Sequence, residues 1–240
     1  MGRSSLAELQ SCTNFRDVGG ARTPGGRVVA SGRLYRCDSL HKLCEEEARQ
    51  FAKTHAPRTI LDLRSAEEVL RFGAGPLAKG VHHLHLPIGT EAPGAMRRRR
   101  APSLVDLYTR FAEHSGLVVA EIVRVLGSRH VLPTIVFCAA GKDRTGVMIA
   151  LVLGALNVTD RDVVADYATT RVVDPALLGD GYAQRFADLP AAYREAAPQT
   201  MRGFLAAIRR KYGSIRAYMA HYGVERVELR DLERALLVQD

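Results

Sequence analysis

The sequence predicts an α/β fold of three layers, in which a central, mostly parallel sheet is flanked by helices. The main observation is an alternation along the chain, in which short β-branched runs are followed by longer segments with helical periodicity. The sequence of 240 residues has no internal repeat and no low-complexity linker, and this length suffices to bury a large core. We therefore expect one domain over residues 1–240.

The predicted strands are short and apolar. Two β-prone runs flank Ser31-Gly32, a dipeptide typical of a tight turn, so we expect a hairpin there. The histidines of the fourth predicted strand have no partner at metal-ligand spacing and are interpreted as surface or structural residues. The predicted strands cover residues 24–30, 33–36, 59–63, 81–87 and 134–138.

Capping residues and apolar periodicity place the predicted helices. Ser39 is a candidate N-cap for a helix over residues 41–55, and Ser65 begins a capping box for a short helix that ends at Gly73. Thr159 caps a later helix in the same way. The other predicted helices cover residues 103–114, 116–126, 147–156, 200–212, 215–222 and 225–237.

The stretch from Thr134 to Gly146 carries the strongest chemical signal. An apolar strand leads into Cys138, five residues separate it from Arg144, and a long apolar helix follows. Loop amides and a helix N-terminus converge on one point in such an arrangement, which suits a phosphate and favours the thiolate form of a nearby cysteine. Arg144 adds a planar guanidinium that binds two phosphate oxygens. The chemistry indicated is attack of a Cys138 thiolate on phosphorus, followed by hydrolysis of the phosphocysteine.

Two further groups have roles in this chemistry. The leaving oxygen needs a proton, and the candidate donors are Asp143, inside the loop, and Asp62, at the end of another predicted strand. Thr145 follows the arginine, and its hydroxyl is expected to donate a hydrogen bond to the thiolate, which makes Cys138 a better leaving group.

The stretch resembles the phosphate-binding loop of the cysteine-dependent protein tyrosine phosphatases. Its run Ala140-Gly-Lys-Asp-Arg-Thr-Gly146 is similar to that of the atypical bacterial tyrosine and lipid phosphatases. Further blocks that resemble this family lie at residues 14–20, 32–40, 62–64 and in the C-terminal helices. The resemblance covers residues 13–238 in chain order.

The resemblance implies a protein-tyrosine-phosphatase-like fold and hydrolysis of phosphotyrosine, with phosphoserine, phosphothreonine and phosphoinositides as further candidate substrates. It favours Asp143 over Asp62 as the proton donor, and it associates Lys142 with the handling of phosphoinositides. The substrate phosphate is expected to bind the backbone amides of residues 139–144, which include those of Ala139, Ala140 and Gly141. No metal or cofactor is expected, because the arginine and the amides neutralise the charge.

Other polar residues are expected at the rim of this loop. Asp62-Leu-Arg64 lies between a strand end and a helix start, and ligands bind at that edge of a parallel sheet. Asp62 or Arg64 therefore points toward the site if this strand neighbours that of Cys138, and a structural ion pair is the alternative. Arg16 and Asp17 are expected to pair with each other or to brace the site.

Phe137 departs from the family pattern, in which a histidine precedes the cysteine. Phenylalanine cannot form a hydrogen bond to the cysteine backbone, so we expect a less stabilised thiolate and lower activity. The alternative to an active phosphatase is therefore a weakly active or inactive phosphate-binding pseudophosphatase. Rhodanese-like sulfur transfer is a third alternative, which the Lys-Asp-Arg-Thr-Gly run fits poorly.

The charge balance favours acidic partners. The chain carries 34 lysines and arginines against 26 acidic residues, a net charge of +8. An irregular segment at 88–102 holds four consecutive arginines, which are a candidate contact for anionic lipid or a solvated loop. These are Arg97, Arg98, Arg99 and Arg100. No aromatic residue accompanies them, so no specific nucleic-acid binding is expected. Segments 88–102 and 171–198 are candidate lids over the site.

Cysteine usage and the N-terminus bear on location. The four cysteines form no Cys-x-x-Cys pair and are too few for a disulfide scaffold, which favours a reducing compartment. The N-terminus has no apolar signal core, and no run reaches the roughly 18 apolar residues that a membrane span needs. We therefore expect a cytoplasmic protein without a transmembrane segment, with export lacking a signal peptide as the alternative.

Overall fold

The computed structural model describes residues 11–89, 103–171 and 191–240, and within them the chain forms two sheets. The strands are β1 (Arg16–Asp17), β2 (Arg27–Val29), β3 (Leu34–Cys37), β4 (Thr59–Asp62), β5 (His82–His85), β6 (Thr134–Phe137) and β7 (Leu237–Gln239). Five of them form the central sheet in the order β1-β3-β6-β4-β5, and β2 pairs with β7 in the other sheet.

Helices account for most of the remaining described residues. They are α1 (Glu45–His55), α2 (Ala66–Phe72), α3 (Leu104–His114), α4 (Gly116–Gly127), α5 (Asp143–Ala155), α6 (Asp160–Ala168), α7 (Ala191–Arg194), α8 (Pro198–Tyr212), α9 (Ile215–His221) and α10 (Arg226–Leu236). Short 3-10 helices cover Leu40–Lys42, Pro76–Gly80 and Arg129–Val131. Each helix of the described residues is too short or too polar to cross a lipid bilayer.

The central sheet is mostly parallel, as predicted. Strands β3, β6, β4 and β5 run in one direction, and only the edge strand β1 is antiparallel to its neighbour. Phe137 of β6 is in register with Cys37 on one side and with Asp62 on the other. The carboxyl ends of three neighbouring strands therefore meet at the residue that precedes Cys138.

The sheet separates two hydrophobic cores, which makes three layers. Alternate residues of β6 face opposite sides because side chains in a strand have a period of two. Ile135 and Phe137 belong to the smaller core beside α1, whereas Val136 and Cys138 belong to the larger core beside α5. The predicted three-layer α/β fold is confirmed. Helix α5 is buried over nearly its whole length, which explains why it is apolar all round.

The predicted hairpin around Ser31-Gly32 is wrong. Strand β2 pairs with the C-terminal β7, and β3 enters the central sheet between β1 and β6. All four residues of β3 are buried, so this strand needs neighbours on both edges and a core on both faces. A two-stranded hairpin provides neither.

Two helix starts also differ from the prediction. Helix α1 begins at Glu45 with Cys44 as its N-cap, and the Cys44 thiol and the Glu47 carboxylate form a capping box. Ser39 is therefore not the cap, and the extended backbone at Leu43 separates α1 from the preceding 3-10 turn. Helix α5 begins at Asp143 rather than at residue 147, so the end of the catalytic motif forms its first turn.

Candidate active site

The loop that joins β6 to α5 has a buried cysteine at its base. Cys138 follows the last residue of β6 and is 2% exposed. Gly141 has a φ of +65°, and a Cβ atom there would lie 2.6 Å from the carbonyl oxygen of Cys37. Glycine is therefore required at position 141, both for its backbone conformation and for the close approach of β3.

Three side chains from the N-terminal part of the chain hold three consecutive carbonyl groups of this loop. The Ser39 hydroxyl donates to Ala139 at 2.6 Å and the Asn14 amide to Ala140 at 3.1 Å. The guanidinium of Arg36 donates to the carbonyl of Gly141 at 2.6 Å. These bonds tie the loop to the N-terminal part of the chain and occupy its carbonyl oxygens.

The backbone N–H groups of the loop are left available. Within the described residues, those of Ala139, Ala140 and Gly141 donate to no acceptor. They lie next to the N-terminus of the 13-residue helix α5, whose dipole adds partial positive charge. Free amides at a helix N-terminus form a binding site for an anion such as phosphate. The predicted role of these residues in substrate binding stays a prediction, which this geometry supports.

Arg144 lies in the first turn of α5 and forms a bidentate ion pair with Glu68. One of its bonds joins Nη2 to Oε1 of Glu68 at 2.8 Å, and Nη1 contacts Oε2. Glu68 also accepts a bond from the backbone N–H of Ser65 in the capping box of α2. The sequence revealed only the capping role of Glu68, because nothing in the local pattern links residue 68 to residue 144.

The side chains of Lys142 and Asp143 form an ion pair in which the lysine is buried and the aspartate is partly exposed. The Lys142 ammonium contacts Oδ1 of Asp143 at 2.6 Å, and Lys142 is only 2% exposed. Tyr108 of α3 donates to the same carboxylate oxygen at 2.6 Å. The Asp143 side chain remains 29% exposed. Lys142 therefore directs its charge into the protein in this structure, and its predicted contact with phosphoinositides stays a prediction.

Asp62 ends the neighbouring strand β4 and Arg64 follows two residues later, but their side chains bond each other rather than the loop. Both are fully buried, and their ion pair joins Arg64 Nη2 to Asp62 Oδ2 at 2.6 Å. Burial would raise the pKa of Asp62, but hydrogen bonds from Arg64 and His83 outweigh it and lower that pKa to about 2. A carboxylate so strongly ionised is a poor proton donor, so the geometry favours the structural alternative for this pair.

The hydroxyl of Thr145 is buried and has no hydrogen-bond partner among the described residues. Its predicted bond to the thiolate of Cys138 is therefore not made in this structure.

Arg16 and Asp17 do not pair with each other. Arg16 pairs with Asp166 of α6, and Arg36 contacts the other oxygen of the same carboxylate. Asp17 accepts bonds from the backbone N–H groups of Gly19 and Gly32. Asp166 thus holds Arg36 against the loop, a role that no local pattern in the sequence indicated.

Several predictions fall on residues that the structure does not describe. The four arginines at 97–100 lie outside the described residues, as do most of the candidate lid segments, 88–102 and 171–198. Lipid contact and closure over the site therefore stay predictions. Among the described residues no group of three or more His, Cys, Asp or Glu side chains is arranged to hold a metal ion, and all four cysteines are free.

The fold and this site together define a cysteine-dependent phosphatase. A sequence model described as the tyrosine phosphatase family matches residues 7–238. The chain belongs to this tyrosine phosphatase family.

Individual proteins to which the chain is similar are also named as phosphatases. The triple specificity protein phosphatase PtpB of Mycobacterium tuberculosis is 28% identical over 97% of this chain and 99% of its own length. A putative tyrosine-protein phosphatase of Cupriavidus necator is 31% identical over 69% of this chain and 63% of its own. The core catalytic domain of the PP-IP phosphatase SIW14 from S. cerevisiae has a TM-score of 0.41 at 16% identity, covering 83% of this chain and 93% of its own. None of these findings supports the pseudophosphatase alternative.

Proposed function

We propose that this protein hydrolyses phosphoric monoesters, phosphotyrosine first among them, through a phosphocysteine on Cys138. The observation that carries the proposal is the loop itself. Its carbonyl groups accept bonds from Ser39, Asn14 and Arg36, and the N–H groups of the same three loop residues donate to no acceptor among the described residues, next to a buried cysteine. This arrangement is prepared for an anion before the substrate arrives.

The reaction has two steps. The sulfur of Cys138 attacks phosphorus and the bond to the ester oxygen breaks, while Asp143 gives that oxygen its proton. Arg144 and the loop amides bind the three equatorial oxygens as charge develops on them. In the second step Asp143 accepts a proton from a water molecule that attacks the phosphocysteine. Inorganic phosphate leaves, and the thiolate is restored.

The depth of the cysteine supports an aryl ester as the main substrate. Cys138 is 2% exposed, so a phosphate must reach the base of the loop, which a phenyl ring allows more readily than a short alkyl side chain. The mycobacterial relative is named for triple specificity, and this supports testing phosphoserine, phosphothreonine and phosphoinositides as further substrates. A panel of aryl phosphate, phosphopeptides and phosphoinositides compared by kcat/KM would rank them.

The proposal predicts a burst of phenol release when an aryl phosphate is mixed with the enzyme, followed by slower turnover. Cys138→Ser should abolish both phases. Cys44→Ser is the matched control, because Cys44 is exposed and serine caps a helix well, so this variant should keep wild-type kinetics. A folded wild-type protein that shows no turnover between about pH 5 and pH 8 would overturn the proposal.

A further inference from the structure

Two buried tyrosines form a hydrogen-bonded chain that ends on Asp143. The hydroxyls of Tyr167 on α6 and Tyr108 on α3 are 2.7 Å apart, and that of Tyr108 is 2.6 Å from Asp143 Oδ1. Tyr108 is completely buried and Tyr167 nearly so. Three elements that are distant in sequence therefore converge on one carboxylate.

The direction of the bonds follows from the chemistry of the groups. Burial raises the pKa of both phenols, so both keep their protons at neutral pH. A carboxyl oxygen that carries no proton only accepts hydrogen bonds, so Tyr108 donates to Oδ1 of Asp143 and accepts from Tyr167. The Tyr167 hydroxyl thus fixes the rotation of the Tyr108 hydroxyl.

This chain holds only one oxygen of Asp143. Oδ1 receives both Tyr108 and the Lys142 ammonium, while Oδ2 has no hydrogen-bond partner among the described residues. The Asp143 side chain is partly exposed, so Oδ2 is the oxygen that can exchange a proton with a substrate. A short carboxylate at the start of α5 would rotate freely without such an anchor.

We propose that Tyr108 is a positioning residue that orients Asp143 for proton transfer, and that Tyr167 positions Tyr108 in turn. This inference rests on the proposed function, in which Asp143 protonates the leaving group. The competing explanation is that Tyr108 only fills the core, where its ring packs near those of Phe111 and Phe204. The two explanations differ in the role of one hydroxyl group, which phenylalanine removes while keeping the ring.

The test compares two aryl phosphates that differ in their leaving groups. Phenol is a poor leaving group and needs a proton, whereas a dinitrophenol leaves as the anion and does not. In Tyr108→Phe we expect kcat/KM for phenyl phosphate to fall about tenfold and kcat/KM for the dinitrophenyl ester to change less than about twofold, because kcat/KM reports the step in which the leaving group departs. Tyr167→Phe should give a smaller loss in the same direction. Asp143→Asn should show the largest selective loss, and adding Tyr108→Phe to it should cost nothing more.

Tyr218→Phe is the matched control for the loss of a buried hydroxyl. Tyr218 is also fully buried and donates to the carbonyl of Ala112 on α3, the helix that carries Tyr108, but it does not contact Asp143. Tyr218→Phe should lower the melting temperature without changing the ratio of kcat/KM between phenyl phosphate and the dinitrophenyl ester.

The outcomes separate the inference from the proposed function. If Asp143→Asn lowers kcat/KM selectively for phenyl phosphate but Tyr108→Phe and Tyr167→Phe lower kcat/KM of both esters equally, the positioning role is wrong and the acid role stands. If Asp143→Asn lowers kcat/KM of both esters equally, the acid role and the positioning role are both wrong. An inactive wild-type protein would overturn both together with the proposed function.

Discussion

At the scale of single residues, Phe137 occupies the position before the cysteine, where the family resemblance leads us to expect a histidine. Its ring lies in the smaller core, on the opposite face of β6 from Cys138, and the Arg64 guanidinium lies over it at 4.9 Å from the ring centre. Position 137 thus supports the buried Asp62–Arg64 ion pair at the strand end. The loop around the cysteine is held instead by Asn14, Arg36 and Ser39. An aromatic residue at 137 is therefore compatible with an active site.

Phe137→His is predicted to destabilise the protein without activating it. The imidazole would be buried beside a fixed cation, so we expect the free energy of unfolding to fall by about 1–3 kcal/mol. We expect kcat/KM for an aryl phosphate to stay within about twofold of wild type, since the ring does not face the thiol. Urea denaturation and steady-state kinetics measure the two effects, and Phe51→His in the same core is the control. A tenfold gain in kcat/KM at unchanged stability would restore the pseudophosphatase interpretation.

At the scale of elements, the short helix α2 connects the end of β4 to the catalytic arginine. Its N-cap Ser65 and Glu68 bond each other's backbone N–H groups, and Glu68 binds Arg144 with both carboxylate oxygens. The start of α2 therefore sets where the Glu68 carboxylate lies. Through Glu68 the same turn sets the direction of the Arg144 guanidinium.

Glu68→Gln is predicted to weaken catalysis more than stability. Glutamine keeps an acceptor for the helix cap but loses the charge and the second acceptor that hold Arg144. We expect kcat to fall about tenfold and the inhibition constant of inorganic phosphate to rise. Glu67→Gln, one residue earlier and exposed, is the control and should leave both values unchanged. If Glu68→Gln lowers the melting temperature while kcat and phosphate inhibition match the control, Glu68 serves only the helix.

At the scale of the whole molecule, buried polar groups make the stability of the fold depend on pH. Burial and the nearby Arg64 lower the pKa of His41 to about 4, from an ordinary value of 6.5. The pKa of Asp62 is about 2 instead of 3.8, because its bonds from Arg64 and His83 outweigh its burial. Both groups bind protons less readily in the folded chain than in the unfolded chain. Both therefore contribute stability at neutral pH that acid removes.

The free energy of unfolding is predicted to fall as the pH is lowered through two ranges, and His41 contributes to the first and Asp62 to the second. The contribution of His41 is lost between about pH 6.5 and about pH 4. Because the side chain is partly exposed to solvent, we expect this loss of unfolding free energy to be roughly 1–2 kcal/mol. The contribution of Asp62 is lost between about pH 3.8 and about pH 2. Urea denaturation at a series of pH values measures both. His41→Gln should reduce the loss in the first range, whereas the exposed His130→Gln should not. A loss of equal size in the first range in His41→Gln would contradict the assignment.

The sequence by itself determined the layers of the fold and the chemistry of the loop. The layers follow from the alternation of short strands and helices along the chain. The chemistry follows from one run in which a strand, Cys138, Gly141, Arg144 and a helix come in that order. Such features depend on local geometry, because a strand that leads through a tight loop into a helix places its own residues at the helix N-terminus. The family resemblance followed from the same run.

Only the tertiary structure decided which distant side chains serve this loop. Ser39 is predicted to cap a helix but holds the carbonyl of Ala139, and Glu68 caps a helix as predicted but also holds Arg144. The hairpin was wrong for the same reason, since its first strand pairs with the C-terminus. Each of these contacts joins residues tens to hundreds of positions apart. Their pairing depends on which buried polar groups need partners once the layers have packed, and no local pattern contains that information.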